Sequence, residues 1–238
     1  MRLLINTKYR SYEEEIMDDL AYDGPLLLDA LDKLTFINKW LGGNQVTLNG
    51  LKKILKNQPK NKVITIIDLG CGSGDILRKV AQYGQKNDYQ FQLLGIDANK
   101  NTIAYAKELS TTYKNVDFKT IDIFSEEFKT LEYDIVLNTL FFHHFKESEL
   151  IPFLKLLLQK ASLGIVVNDL HRSTWAYYLY KLMCLFFIDN SMVVQDGLTS
   201  ILRGFKRDEL IQISKELSAN YTIKWKWAFR FQWILKNQ

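Results

Sequence analysis

The stretch Val63-Ile64-Thr65-Ile66-Ile67-Asp68-Leu69-Gly70-Cys71-Gly72-Ser73-Gly74-Asp75 constrains this chain more than any other. Its first half is an apolar run rich in β-branched residues, as in a parallel strand covered on both faces. Three glycines then alternate with other residues. Glycine supplies a tight turn and lets a ligand approach bare backbone. The next residues, Ile76 to Ala81, have helical character. A strand, a glycine loop and a helix opening an α/β unit form a place for a nucleotide-like cofactor.

The spacing narrows the cofactor. A dinucleotide fingerprint needs G-x-G-x-x-G. Here the pattern is G-x-G-x-G, and Asp75 stands where the last glycine would be. Asp68, at the strand tip, repels a pyrophosphate and attracts an ammonium group. The segment resembles motif I of class I S-adenosylmethionine (SAM)-dependent methyltransferases. The resemblance implies SAM as cofactor and S-adenosylhomocysteine (SAH) as product.

The following residues continue that resemblance. Phe91 to Asp97 reads as a second strand ending in an acid, and Asn99 to Leu109 as a helix. Val116 to Ile121 is a third strand followed by Asp122-Ile123, and Tyr133 to Asn138 a fourth. In the family, the acid after strand two accepts both ribose hydroxyls, a diol suited to an ionised acceptor. The acid after strand three and the next amide meet the adenine. The resemblance therefore implies cofactor contacts from Asp68, Gly70, Cys71, Gly72 and Gly74, from Asp97 and Ala98, from Asp122 and Ile123, and from Asn138. The alternative for each acid is a cap on the following turn or helix. Cys71 has no adjacent base and reads as a small loop residue rather than a nucleophile.

The expected fold is α/β: a doubly wound, seven-stranded, mostly parallel sheet with an antiparallel last strand. Residues 1–60 are expected to form an N-terminal helical cap, with helices from Pro25 to Leu41 and from Val46 to Leu55. Residues 61–238 then form the SAM-dependent methyltransferase domain, including a helical lid insertion at 173–205. Tyr221 to Leu235 alternates apolar with basic or polar residues, as a closing antiparallel hairpin would. The chain is 238 residues long, with 47% hydrophobic residues, enough for a full core. A formal charge of +4 demands no nucleic acid. Two cysteines, Cys71 and Cys184, give no disulfide framework, and the first residues do not read as a signal peptide. These features point to the cytoplasm.

The acceptor side is expected beyond strands four and five. All three histidines fall there: His143 and His144 in Phe141-Phe142-His143-His144, and His171 in Asn168-Asp169-Leu170-His171-Arg172. Oxygen methylation needs the acceptor deprotonated, which neutral imidazole suits. His171 is the first candidate base, oriented by Asp169 or another acid; His144 and His143 follow. Packing or capping is the alternative for each. Trp40, Phe142, Arg172, Trp175 and Tyr178 are candidate acceptor contacts. No metal is expected.

The run from Trp175 to Ile188 holds six aromatic residues and is too short to span a bilayer. It suggests a lid for a lipophilic substrate, peripheral membrane contact, or ordinary core packing. With Asp196-Gly197-Leu198-Thr199-Ser200 and Trp227-Ala228-Phe229-Arg230, the chain is similar to bacterial small-molecule methyltransferases of polyketide- or quinone-type pathways. That implies methyl transfer to a small hydrophobic acceptor, oxygen before carbon. Alternatives are C-methylation of a quinone-type precursor and a non-catalytic SAM-binding module.

Overall fold

The computed structural model describes residues 5–20 and 22–237. Two helices, α1 (Pro25–Trp40) and α2 (Gly43–Leu55), precede β1 (Val63–Leu69). Then follow α3 (Asp75–Lys86), β2 (Gln90–Asp97), α4 (Lys100–Leu109), β3 (Val116–Thr120), α5 (Glu126–Thr130) and β4 (Ile135–Thr139). The chain continues through α6 (Glu147–Lys160), β5 (Gly164–Leu170), α7 (Thr174–Phe187), α8 (Ser191–Arg203) and α9 (Arg207–Glu216) to β6 (Asn220–Lys226) and β7 (Arg230–Lys236). Single 3₁₀ turns lie at Ile16–Asp18 and Phe142–His144.

The strands form one sheet in the order β3-β2-β1-β4-β5-β7-β6. β1 to β5 are parallel, and β7 runs antiparallel to both β5 and β6. This is the expected doubly wound sheet. The order reverses at β1 and β4, and ligands of such sheets bind beyond the strand ends at that point. β5 is longer than its apolar run suggests. Asn168, Asp169 and Leu170 remain in the strand because β7 pairs with them at Gln232, Phe231 and Arg230.

Apolar side chains fill both sheet faces. Leu51, Ile54 and Leu55 of α2 and Leu77 and Val80 of α3 meet Ile64 and Ile66 on one face. Leu154 and Leu157 of α6 and Leu210 and Ile213 of α9 meet Ile67 and Val167 on the other. α2 is thus part of the sheet's covering layer, continuous with the residues after 60. Ala30 and Ile37 of α1 pack with Cys184, Met192 and Val193 in a smaller cluster that ties the first helix to the insertion. The insertion is a pair of helices, α7 and α8.

The N-terminal segment is a strap across the strand ends. Arg10 donates to the carbonyls of Arg203, His143 and Phe145, and Asp196 accepts from the amides of Ile16 and Met17. Arg172 fixes the start of the strap through the carbonyls of Thr7 and Lys8.

Candidate active site

The glycine loop turns directly off β1. Gly70, Gly72 and Gly74 all have positive φ, at 65°, 51° and 77°. At Gly74 a Cβ would lie 2.5 Å from Phe118 Cζ, so both conformation and space require glycine there. At Gly72 the nearest atom to a Cβ would be Leu31 Cδ2, at 3.8 Å, so that glycine faces open space. Cys71 turns its side chain into the core beside Gly95, and burial pushes its thiol pKa well up. It has no nucleophile's environment.

Three carboxylates surround the loop. Asp68 is 2% exposed, and its Oδ1 has no hydrogen-bond partner. Burial, with Asp75 and Asp97 nearby, pushes its pKa well above the ordinary range. Asp75 accepts from Asn44 Nδ2 at 2.7 Å, and burial raises its pKa as well. Asp97 ends β2 and accepts from the amides of Gly72 at 3.2 Å and Asn99 at 3.0 Å. Burial outweighs these amides and raises its pKa too. Ala98 follows it, half-buried in the turn.

Asp97 and Asp122 are not helix caps. Asn99 caps α4 and Ser125 caps α5. Asp122 lies exposed in the turn after β3 and accepts from Phe124 N, with Ile123 buried beside it.

A buried cation faces this group. Arg230 is 2% exposed, and only Nη2 is bonded, to Asn38 Oδ1 at 2.8 Å. Its Nε and Nη1 have no partner. Burial lowers its pKa to about 10, against the opposing pull of Asp169 and Asp75. An unpartnered carboxylate oxygen on Asp68 and unpartnered guanidinium nitrogens on Arg230, both within the influence of Asp75, fit a zwitterionic amino-acid group. The three uncompensated acids fit a cofactor that carries ammonium and sulfonium charges.

The histidines part company. His143 is 2% exposed; its Nδ1 lies 2.7 Å from Asp169 Oδ1 and its Nε2 3.6 Å from Glu15 Oε1. Burial alone would lower its pKa, but Asp169 and Glu15 outweigh that and raise it to about 9. Carboxylates thus hold both of its ring nitrogens, and neither is open to an acceptor. His144 stacks on that ring at 4.3 Å, with Nδ1 2.8 Å from Asp18 Oδ1. His171 stands apart on the hairpin side. Its Nδ1 accepts from Trp225 Nε1 at 3.3 Å, and its ring lies 5.0 Å from that of Phe231. Burial lowers its pKa, helped by Lys206 and Arg172. Asp169 does not orient it, because that carboxylate is spent on His143.

Between the strap and the post-β4 turn lies a cavity of about 890 Å³, lined by Tyr12, Glu14, Glu15, Ile16, Asp18, Asp19, Tyr22, His144, Lys146, Glu149 and Arg203. Tyr22 O accepts from Asn99 Nδ2, two residues past Asp97, so the cavity adjoins the expected ribose acid.

Residues 60–175 match the family described as a methyltransferase domain. Over 74 residues the chain is 40% identical to the putative methyltransferase 235L of Invertebrate iridescent virus 6, covering 31% of this chain and 25% of that protein. Over 77 residues it is 34% identical to the protein-lysine N-methyltransferase EFM4 of Saccharomyces cerevisiae, covering 31% and 32%. The chain thus matches a quarter to a third of the length of these curated relatives. Its structure is similar to that of the plantazolicin methyltransferase BpumL in complex with SAH, with a TM-score of 0.64 and 19% identity, over 90% of this chain and 89% of that one.

Residues 60–175 carry a methyltransferase domain, on the fold of the SAH-bound methyltransferase structures.

In this methyltransferase domain the glycine loop and the strand-end acids stand where the motifs place them. Asn138 is fully buried; its Oδ1 accepts from Phe142 N, and its Nδ2 is unpartnered. None of the five expected acceptor contacts lines this cavity. Phe142 is fully buried in the core. Arg172 is also fully buried, bonded to Glu209, to Gly204 O and to the strap, so no donor faces a ligand. Trp40 and Trp175 point outward at 63% and 73% exposure. Tyr178 accepts from the amide of Ile5. Sequence reasoning missed Glu15, Asp18, Arg203 and Arg230. The first three meet only through the strap, and Arg230 reads as an ordinary alternating strand residue.

Proposed function

We propose that this protein transfers the methyl group of SAM to a small hydrophobic acceptor, with the oxygen of a phenol- or enol-like group as the receiving atom. The observation behind this reading is the cavity between the strap and the post-β4 turn, whose Tyr22 is bonded to Asn99 just past Asp97. Its volume is that of a typical small-molecule site. Bound SAM supplies an electrophilic methyl whose sulfur leaves as a neutral thioether.

The protein's part is to hold and to orient. Asp68 would hold the ammonium, Asp97 the ribose, and the Asp122-Ile123 turn the adenine. The strap, fixed by Arg10 and Arg172, forms one wall of the cavity. The acceptor hydroxyl must lose a proton, and His144 is the histidine that borders the cavity.

The outer face of α7 supports a lipophilic substrate. Leu185 and Phe186 are 75% and 73% exposed, and Phe187 lies 6.1 Å from Trp40. Such an apolar face suits peripheral contact with a membrane from the cytoplasmic side. No helix among the described residues is long and apolar enough to cross one.

A second reading is an amine acceptor. Glu14, Asp18, Asp19 and Glu149 line the cavity and would attract an ammonium group.

Methyl-labelled SAM, offered with 1-naphthol and 1-naphthylmethylamine in parallel, tests both. Protein-dependent label on the naphthol supports oxygen transfer. Label on the amine alone moves the reading to nitrogen. Label confined to RNA or protein in a cell extract would overturn the small-acceptor proposal.

A further inference from the structure

We propose that Glu15, His143 and His144 form a binding site for a divalent transition-metal ion of the zinc type, at the wall of the cavity under the strap. Glu15 Oε1, His143 Nε2 and His144 Nδ1 lie within 4.8 Å of one another. All three atoms are buried and make no well-aligned hydrogen bond. Unpaired buried polar atoms are costly, and Glu15 Oε1 and His143 Nε2 lie close together without a hydrogen bond, beside a His144 Nδ1 whose near partner is the Asp18 carboxylate. Glu15 Oε1 is 3.6 Å from His143 Nε2 and 3.9 Å from His144 Nδ1. Ligands about 2.0–2.2 Å from a shared zinc ion stand roughly 3.3 Å apart. An inward movement of the strap would bring Glu15 Oε1 to that spacing, and rotation of the two imidazoles, which share the post-β4 turn, would bring their nitrogens to it.

The surrounding groups suit metal ligands. The contact between His143 Nδ1 and Asp169 Oδ1, at 2.7 Å, fixes the tautomer whose Nε2 lone pair faces Glu15. Carboxylates partner metal-bound histidines in this way. Ser200 Oγ donates to Glu15 Oε2 at 2.8 Å and leaves Oε1 free. Asp18 Oδ1, 2.8 Å from His144 Nδ1, is placed as a fourth ligand.

Charge points the same way. Glu15, Asp18, Asp169 and Asp196 face the cluster, against the guanidinia of Arg10 and Arg203. Asp169 also draws on Arg230, so with neutral imidazoles the four carboxylates still outnumber the three guanidinia, which favours a dication. Arg203 Nη1, 3.5 Å from Glu15 Oε1, is the competing cation, but its hydrogen bonds go to Asp18 and Glu13 O. Two imidazoles with carboxylates select Zn²⁺ or Co²⁺ over Mg²⁺ and Ca²⁺.

The role of the ion rests on the proposed hydroxyl acceptor. With Asp18 released from His144, a three-ligand site would leave a fourth position for the acceptor oxygen and lower the pKa of that hydroxyl, whose proton would pass to solvent water before methyl transfer.

The test is direct binding. Chelator-treated protein is titrated with Co²⁺ followed by visible absorption, and with Zn²⁺ by calorimetry. The expected result is one ion per chain, visible Co²⁺ bands that Zn²⁺ abolishes, and a melting temperature raised by Zn²⁺. Glu15→Gln keeps the Ser200 contact, and His144→Ala alters a partly exposed side chain. Each should weaken binding about tenfold to a hundredfold. Circular dichroism of the metal-free variants checks that they fold, and either one that folds suffices. No stoichiometric uptake, or uptake unchanged in the folded variants, overturns the site and leaves the cluster as an ion-paired latch for the strap. Metal uptake without methylation of any hydroxyl keeps the site and removes the proposed acceptor.

Discussion

Around the glycine loop, Asp68, Asp75 and Asp97 are buried, bonded at most to neutral groups, and hold their protons more tightly than usual. Under the strap, Glu15, Asp18 and Asp169 are also withdrawn from water, yet their pKa values are lowered, because burial there is outweighed by His143, His144 and Arg203. The Asp169 carboxylate is the clearest case, held down by the His143 ring against the effect of its burial. Similar groups at comparable depth therefore behave in opposite ways. The difference is whether the chain supplies its own counter-ions. Around the loop Arg230 and Arg78 act on Asp75 without forming an ion pair, and a cationic ligand can form one; under the strap the ion pairs with His143, His144 and Arg203 outweigh burial.

The largest effect should come from the cation that anchors the strap. Arg172→Ala leaves Glu209 and three carbonyls without their donor and should cost about 3–5 kcal/mol in urea unfolding. A loss near zero would mean that the strap does not depend on it.

A pair of isosteric changes separates the two regions. Asp68→Asn should weaken SAM binding about tenfold to a hundredfold, as loss of a charge-assisted contact does, without lowering the melting temperature of the free protein. Asp169→Asn should lower that melting temperature, because His143 loses its ionised partner. Equal melting losses in both variants would erase the distinction.

Acidity sharpens the same contrast. The folded pKa of Asp68 lies above its ordinary value of 3.8, so its stabilising contribution is present at low pH and is lost as pH rises through the raised value. A bound ammonium favours the carboxylate. The rise in melting temperature produced by SAM should therefore grow with pH across that window. Glu15 and Asp169 have depressed values, so their contribution is present above their ordinary 4.5 and 3.8 and is lost as pH falls through the lowered ones. Melting curves with and without SAM over a pH series read both trends.

The smallest effect should be Gly72→Ala. A Cβ there meets nothing closer than 3.8 Å, so the cost is the left-handed backbone alone, about 1–2 kcal/mol. Gly74→Ala, which strikes Phe118, should cost more in the same unfolding measurement.

Much of the cofactor half was legible in the sequence. A buried strand, alternating glycines and acids at strand ends are local patterns, and Asp68, Asp97 and the sheet follow from them. The acceptor half was not, because its contacts join distant parts of the chain. Glu15 and Asp18 sit in a segment with little regular structure and reach His143 and His144 only when the strap crosses the strand ends. Asp169 looked like a loop partner for His171, but β7 extends β5 past it and turns it to His143. Arg172 reads in the sequence as a candidate acceptor contact and is a buried anchor. The aromatic run of α7 kept its helix, while its outward face could be known only once α1 and α8 had taken the inner one.

The central claim is that the uncompensated acids of the glycine loop receive a cationic cofactor. Calorimetric titration of SAM into the wild-type protein and Asp68→Asn tests it most directly. The account predicts one site per chain in the wild type and binding weakened at least about tenfold in the variant. Equal affinity in the two proteins, or no SAM binding by the wild type, would contradict it.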